Sequence, residues 1–184
     1  MSRETHRVEV AGLTRELPLF EVAPGVRIAV FNLLGDAEVV EAASHELARR
    51  LSDIEHDALV TAETKSVPLL YHVALVSRKP WVVLRKAYKP YMGDAVSAQT
   101  HSITTGAPQT LFLDEKDREF VRGKRVVLVD DVISTGSTVE GMRELMNQVD
   151  AEVVAQAAVF TEGDARDDVI ALGHLPVFTD SAAA

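Results

Sequence analysis

The feature that most constrains this chain is residues 126–138, which read Val126, Val127, Leu128, Val129, Asp130, Asp131, Val132, Ile133, Ser134, Thr135, Gly136, Ser137, Thr138. A run of aliphatic residues ends in two adjacent carboxylates, and small and hydroxylic residues follow. Val139, Met142, Leu145, Met146 and Val149 then recur at helical spacing. This order predicts a buried strand, a turn and a helix N-terminus. Free backbone N–H groups and the helix dipole make such a terminus an anion site. Two carboxylates directly before it are poor company for a bare phosphate, but they suit a ligand that also carries vicinal hydroxyls. The pattern points to a sugar phosphate.

Charge distribution supplies a second constraint. The chain has 184 residues and a net charge of −9, which disfavours nonspecific binding of nucleic acid over the whole surface. Residues 64–93 nevertheless hold no Asp or Glu, while carrying Lys65, Arg78, Lys79, Arg85, Lys86 and Lys89. A local anion site on an acidic background is expected there. Hydrophobic residues make up 47% and charged residues 26%, the composition of a soluble globular chain. With no cysteine, neither disulfides nor thiolate metal sites are available. The N-terminus has no apolar core of the kind a signal peptide needs, and no apolar run approaches the ~18 residues of a membrane span. A cytoplasmic location is expected.

Strand and helix patterns alternate along the chain. Residues 1–34 are strand-like and broken by Pro18, Pro24 and Gly25, with Val8 and Val10, then Val26, Ile28 and Val30, alternating with other residues. Phe20 and Phe31 are expected in the core, the alternative being aromatic contacts to a ligand. Asp36 reads as an N-cap for an amphipathic helix carrying Val39, Val40, Ala43, Leu47, Ala48 and Leu51. Ala58, Leu59 and Val60 read as a strand, 69–76 as a helix, and residues 81–84 as a strand with Trp81 in the sheet core. Val96, Ala98 and Thr100 alternate as in an exposed ribbon, and 110–113 is its returning strand. Residues 114–117 read as a charged turn, 151–160 as a strand, 165–172 as a short helix capped by Asp164 and stopped by Gly173, and 175–178 as a last strand before a frayed Ala-rich tail. Alternating strands and helices predict a single α/β domain over 1–184, with a doubly wound, mainly parallel sheet and helices on both faces. Neither a Gly-x-x-x-x-Gly-Lys loop nor a Gly-x-Gly-x-x-Gly fingerprint is present, and the histidines are scattered.

The 126–138 stretch closely resembles the phosphoribosyl-diphosphate (PRPP) motif of type I phosphoribosyltransferases. Glu63, Thr64, Lys65, Ser66, Val67, Pro68 and Leu69 resemble the diphosphate loop of the purine branch, in a form close to that of the bacterial purine repressors. Arg85, Lys86 and Lys89 resemble the basic strand end of adenine and xanthine enzymes. The resemblance implies the type I fold, with a small hood from residues 1–34 and a mobile flap over 91–110. It implies that Asp130 and Asp131 hold the ribose hydroxyls and that Ser134, Thr135, Gly136, Ser137 and Thr138 cradle the 5′-phosphate. Thr64, Lys65, Ser66, Arg85, Lys86 and Lys89 would bind the diphosphate, with Lys65 acting in catalysis beside the two aspartates. Mg²⁺ would be bound mainly through PRPP and water, and no metal ligand set is expected from the protein itself.

The implied function is transfer of ribose 5-phosphate to a purine base in purine salvage, by a homodimer. Adenine is favoured over 6-oxopurines. Hypoxanthine–guanine enzymes typically carry an Asp where this chain has Ser134, and 6-oxopurine enzymes place a Lys after the penultimate strand, where this chain reads Phe160, Thr161, Glu162, Gly163, Asp164. The alternatives are a 6-oxopurine enzyme and a non-catalytic PRPP-binding regulator. Hood strands that begin almost at the N-terminus leave no room for a repressor's DNA-binding domain, so no nucleic-acid or membrane partner is expected. The flap lacks the Glu of adenine-type enzymes, leaving Asp94 and His101 as its candidate acid/base groups.

Overall fold

Strands that are apolar on both faces have to be covered on both, and this sequence supplies the helices to do so. The structure is a computed structural model that describes residues 4–100 and 109–179. The central sheet contains β4 (Ala58–Ala62), β5 (Trp81–Leu84), β8 (Arg125–Ile133), β9 (Glu152–Glu162) and β10 (Ile170–Leu175). All neighbours are parallel, in the spatial order β10-β9-β8-β4-β5. Helices α1 (Ala37–Arg50) and α2 (Val67–Ser77) cover one face, where Leu47 and Leu69 meet Leu59 and Val127. On the other face, α3 (Glu115–Val121) and α4 (Ser137–Gln148) bring Val121, Met142 and Leu145 against Val60, Val126 and Leu128.

The hood is a separate antiparallel sheet of β1 (Thr5–Val10), β2 (Leu13–Ala23), β3 (Val26–Ala29) and β11 (Val177–Thr179). Ala11 and Gly12 turn the first hairpin with φ of 48° and 82°, the positive values that a two-residue turn between twisted strands needs. Arg15 on β2 is bound through Nε and Nη2 to Asp36, at 2.7 and 3.0 Å, and by Nη2 to Glu38 at 2.6 Å. Asp36 also caps α1, accepting from the Val39 N–H as its position in the sequence predicts. One carboxylate therefore starts the helix and holds the hood to it, and the Arg15 guanidinium keeps that carboxyl below its usual range.

Several expectations are corrected. Residues 165–172 form no helix: Ile170–Leu175 is a strand paired with β9, and Arg166 and Asp168 close the turn before it. A short apolar run is compatible with either element, and pairing to the open edge of β9 decides it. Pro176 separates β10 from β11, so the single last strand is two strands in two sheets. The charged turn at 114–117 is the start of α3, because the Asp114 carboxylate accepts from the Lys116 N–H and acids fill the first turn. Phe31 is buried edge-to-face on Phe160, but Phe20 is 55% exposed on the opposite face of β2 from Leu17. Trp81 begins the edge strand and is 40% exposed beside Tyr71, not in the sheet core.

The flap's base is β6 (Val96–Thr100) paired with β7 (Gln109–Leu113). It is not exposed on both sides: Ala98 and Thr100 are buried against α4. His101, Gly106, the N-terminal 1–3 and the Ala-rich tail lie outside the described residues.

Candidate active site

Strand order fixes where a ligand fits. The chain lays down β4, then β5 on one side, then β8, β9 and β10 on the other, so the order reverses between β4 and β8. In open α/β sheets the crevice at the carboxyl ends of the strands opens at that reversal. The segments that follow β4, β5 and β8 there are the three picked out from sequence.

In the last residues of β8, before it ends at Ile133, Asp130 and Asp131 are half-buried. The Asp131 N–H donates to Asp130 Oδ1 at 2.9 Å. Burial first, and then the neighbouring charge of Asp131, push the Asp130 carboxyl well above the ordinary carboxylate range. Residues 132–139 and Asp130 line a hollow of about 170 Å³. Gly136 takes φ of 85° at the N-cap of α4, so the turn presents the first free N–H groups of the helix to the hollow. Ser134, Thr135, Ser137 and Thr138 bring four hydroxyls to the same place.

After β4, the Glu63–Thr64 peptide is cis and α2 starts at Val67 with Pro68 in its first turn. Thr64 and Lys65 are exposed at the loop's crest. Ser66 is buried, and its hydroxyl meets Thr61 Oγ1 at 2.8 Å and donates to the Ala62 carbonyl at 3.2 Å. Thr61 in turn donates to the Val129 carbonyl at 2.6 Å. Ser66 is thus part of the frame that fixes the loop against β8.

After β5, Arg85 is held by main-chain pairing with Phe112. Its guanidinium forms an ion pair with Glu63 and donates to Tyr91 Oη at 3.5 Å. Lys86 and Lys89 are exposed, and with Lys65 they are the cations at this crevice with no ion pair among the described residues. The sequence pattern groups Arg85 with these lysines, and the structure instead ties it to Glu63. Glu63 is the residue whose role sequence reasoning missed: the motif it belongs to gives it no partner, while its carboxylate bridges Arg85 and the Lys86 N–H, which donates at 2.9 Å. Arg166 was also missed, because a residue in an expected helix gives no sign that it reaches the phosphate loop. Among the described residues no group of three or more His, Cys, Asp or Glu is arranged to hold a metal, and no helix is long and apolar enough to cross a membrane.

A parallel sheet reversed at β4 and β8, with an acidic pair, a hydroxylic anion turn and a basic loop at the reversal, is the type I phosphoribosyltransferase arrangement. The phosphoribosyl transferase domain matches residues 34–172, and the chain belongs to that family. Relatives include a Streptococcus pneumoniae protein named "Probable purine biosynthesis transcriptional regulator PurR", 33% identical over 142 residues, 77% of this chain and 50% of that one. An adenine phosphoribosyltransferase of Agathobacter rectalis is 31% identical over 68% of this chain and 69% of its own. The chain spans about half the length of the first of these relatives. Among solved structures, adenine phosphoribosyltransferase of Thermoanaerobacter pseudethanolicus superposes with a TM-score of 0.67 at 18% identity, covering 93% of this chain and 95% of that one. The Saccharomyces cerevisiae enzyme, solved with an imino-altritol bisphosphate and adenine, gives 0.63 at 18% identity, covering 92% and 94%. At such identity these two likenesses concern the fold.

Proposed function

We propose that this chain binds PRPP and transfers its ribose 5-phosphate to a purine base, releasing diphosphate. The observation that carries this reading is the meeting of Asp130 and Asp131, the 134–138 turn and Lys65, Lys86 and Lys89 at one crevice, while Arg78 and Lys79 of the same acid-free block lie at the other end of the strands, Lys79 donating to the His56 carbonyl. Asp130 and Asp131 accept from the ribose 2′- and 3′-hydroxyls. The free N–H groups and hydroxyls of the turn take the 5′-phosphate. Lys65, Lys86 and Lys89 neutralise the diphosphate, while Arg85, tied to Glu63, shapes the loop that carries Lys86 and Lys89.

The donor set suits Mg²⁺ held mainly through the diphosphate, the ribose oxygens and water, because two adjacent carboxylates make no protein cage. When bound, that ion supplies charge neutralisation for the leaving group. Catalysis is then positioning and electrostatics. The C1–O bond to diphosphate breaks with its electron pair on the departing oxygen, a ring nitrogen of the base forms the new C1–N bond, and the base's proton passes to the departing diphosphate or to water.

Adenine is the favoured base. Glu162 ends β9 where a 6-oxopurine enzyme is expected to carry a Lys, and the adenine enzymes named above share the fold. A homodimer belongs to the same reading, with the exposed Tyr71, Leu75, Trp81 and Tyr91 beside the 85–89 segment as its contact surface. Sedimentation of the chain and of Leu75→Glu tests it: a dimer that the substitution dissociates is expected, and a monomeric parent overturns it.

The activity test is incubation with PRPP, Mg²⁺ and a panel of bases, with nucleotide products read by chromatography. AMP is the expected product. No product from any base overturns the enzymatic reading. A second reading, a PRPP-binding regulator, is favoured by the likeness to the pneumococcal regulator. PRPP binding without product, together with a PRPP-sensitive gel shift of DNA, is the outcome that selects it.

A further inference from the structure

The phosphate turn carries no charge of its own. Its hollow is lined by Asp130 and uncharged residues, with no Lys or Arg among them. The cation set against it comes from elsewhere in the chain. Arg166, in the turn between β9 and β10, is bound to Asp168 through Nε and Nη2, both at 2.9 Å. Asp168 is itself steadied by Gln156 Nε2, which donates at 3.1 Å from within β9. These bonds use two of the three guanidinium nitrogens. The third, Nη1, faces the open side of Gly136: a methyl group built on Gly136 would lie 2.5 Å from it. Arg166 also shares a second cleft with Ser134 and Thr135. The fork is therefore held by its far side and presents its free nitrogen to the phosphate turn.

We propose that Arg166 is a positioning residue for the 5′-phosphate, seating the Gly136 turn and supplying the positive charge that the turn lacks. This rests on the reading of residues 134–138 as a phosphate site. Ser134 and Thr135 contact the ligand in that reading, and Arg166 acts through the turn. A guanidinium suits the task because its planar fork binds a carboxylate on one edge while leaving another N–H free. A lysine has the charge but not the fork.

The test measures binding of two halves of the substrate by calorimetry, in the presence of Mg²⁺: ribose 5-phosphate, which needs the turn, and inorganic diphosphate, which needs the Lys65 side. Arg166→Gln and Arg166→Met each remove the charge, and Met keeps the unbranched stem of the side chain while giving up its reach to Gly136. Both are expected to weaken ribose 5-phosphate about tenfold or more, the size of one hydrogen bond to a charged group, and to leave diphosphate within about twofold. Arg166→Lys is expected to recover part of the loss. A purely structural role would lower affinity for both halves together and would spare neither uncharged variant's melting temperature. Unchanged ribose 5-phosphate affinity in either folded uncharged variant, or equal loss of both ligands, overturns the inference. Failure of the unaltered protein to bind ribose 5-phosphate overturns the phosphate-site reading, and this inference with it.

Discussion

Glu63 and Arg85, which follow the neighbouring strands β4 and β5, are joined carboxylate to guanidinium across the floor of the crevice. The same carboxylate accepts from the Lys86 N–H at 2.9 Å. Two loops that the sequence presents as separate anion-binding segments are thereby one unit.

Glu63→Gln tests that unit. The pair is part-exposed, so its direct worth to stability is within about 1 kcal/mol, and the melting temperature is expected to move little. The Arg85 side chain loses its counter-ion, and the Lys86 N–H keeps only a neutral amide oxygen as its acceptor. Diphosphate affinity is expected to fall about tenfold, in line with one hydrogen bond to a charged group. Calorimetry with diphosphate reads this directly, and an unchanged affinity would mean that the two loops act independently.

Asp130→Asn probes the cost of the acidic pair. In the folded chain burial and the charge of Asp131 raise the Asp130 carboxyl from 3.8 to about 8. The sign follows: below the unfolded value both states are protonated, and between the two values unfolding releases a proton, so this residue's contribution falls as pH rises through that window. Asparagine has nothing to titrate. The variant is expected to melt higher than the parent at pH 8, by about 3 °C or more for a domain of this size, with the gap closing near pH 4. Equal melting temperatures at both pH values would show that Asp130 ionises as an ordinary carboxylate.

Replacing both acids addresses binding instead. Asp130→Asn with Asp131→Asn removes the carboxylate of Asp131, worth about 1.5–3 kcal/mol as a charged acceptor, and the carboxyl of Asp130, worth about 0.5–1.5 kcal/mol because it is held largely protonated at neutral pH. PRPP affinity is expected to fall by at least about thirtyfold, while inorganic diphosphate, bound from the Lys65 side, keeps most of its own. Calorimetry with both ligands checks it, and PRPP binding at the parent's affinity would remove the acidic pair from the ribose site.

The fold and the crevice were legible because their signals are local. A run of Val and Leu closed by Asp130 and Asp131 marks the strand end, and Asp36 before a periodic helix marks the cap. What stayed hidden depends on partners far off in the chain. Glu63 meets Arg85, and Ser66 reaches Thr61, which holds the Val129 carbonyl. Arg166 meets Gly136, and its turn reads as a helix because Ile170 and Leu172 fit either period until β9 supplies an edge to pair with. Trp81 shows the converse limit: a large aromatic at a strand start reads as core, and only the sheet order reveals that its strand is the edge.

Gly136→Ala combines two obstacles. The residue sits at φ of 85°, and a methyl group there would press on Arg166 Nη1. A non-glycine residue held in that region costs about 1–3 kcal/mol. Chemical denaturation is expected to show a loss of that size, and ribose 5-phosphate binding a loss beyond it as the turn shifts. The double variant Gly136→Ala with Arg166→Ala relieves the contact but not the backbone, so only part of the stability should return. Full recovery would assign the whole cost to the arginine.

Gly141 and Thr100 set how the flap's base docks. Gly141 lies in α4, and a methyl group built on it would stand 2.3 Å from Thr100 Cγ2. Thr100 cannot simply turn away, because its hydroxyl donates to the Gln109 carbonyl at 3.1 Å and so holds the rotamer. Two effects therefore oppose each other in Gly141→Ala: alanine favours the helix by about 0.8–1 kcal/mol, and the collision drives β6 off α4. The collision is expected to win, with net destabilisation of about 1–3 kcal/mol as for other overpacked cores, and with faster amide exchange in β6 and β7. Thr100→Ser removes the offending methyl and keeps the hydroxyl. In the Gly141→Ala background it should restore stability to the level of Thr100→Ser alone or above, a coupling that a double-mutant cycle measures. Additive effects would mean that the ribbon and the helix do not meet at this point, and that the base of the flap is seated by Gln148, which donates to the Ser97 carbonyl at 3.3 Å.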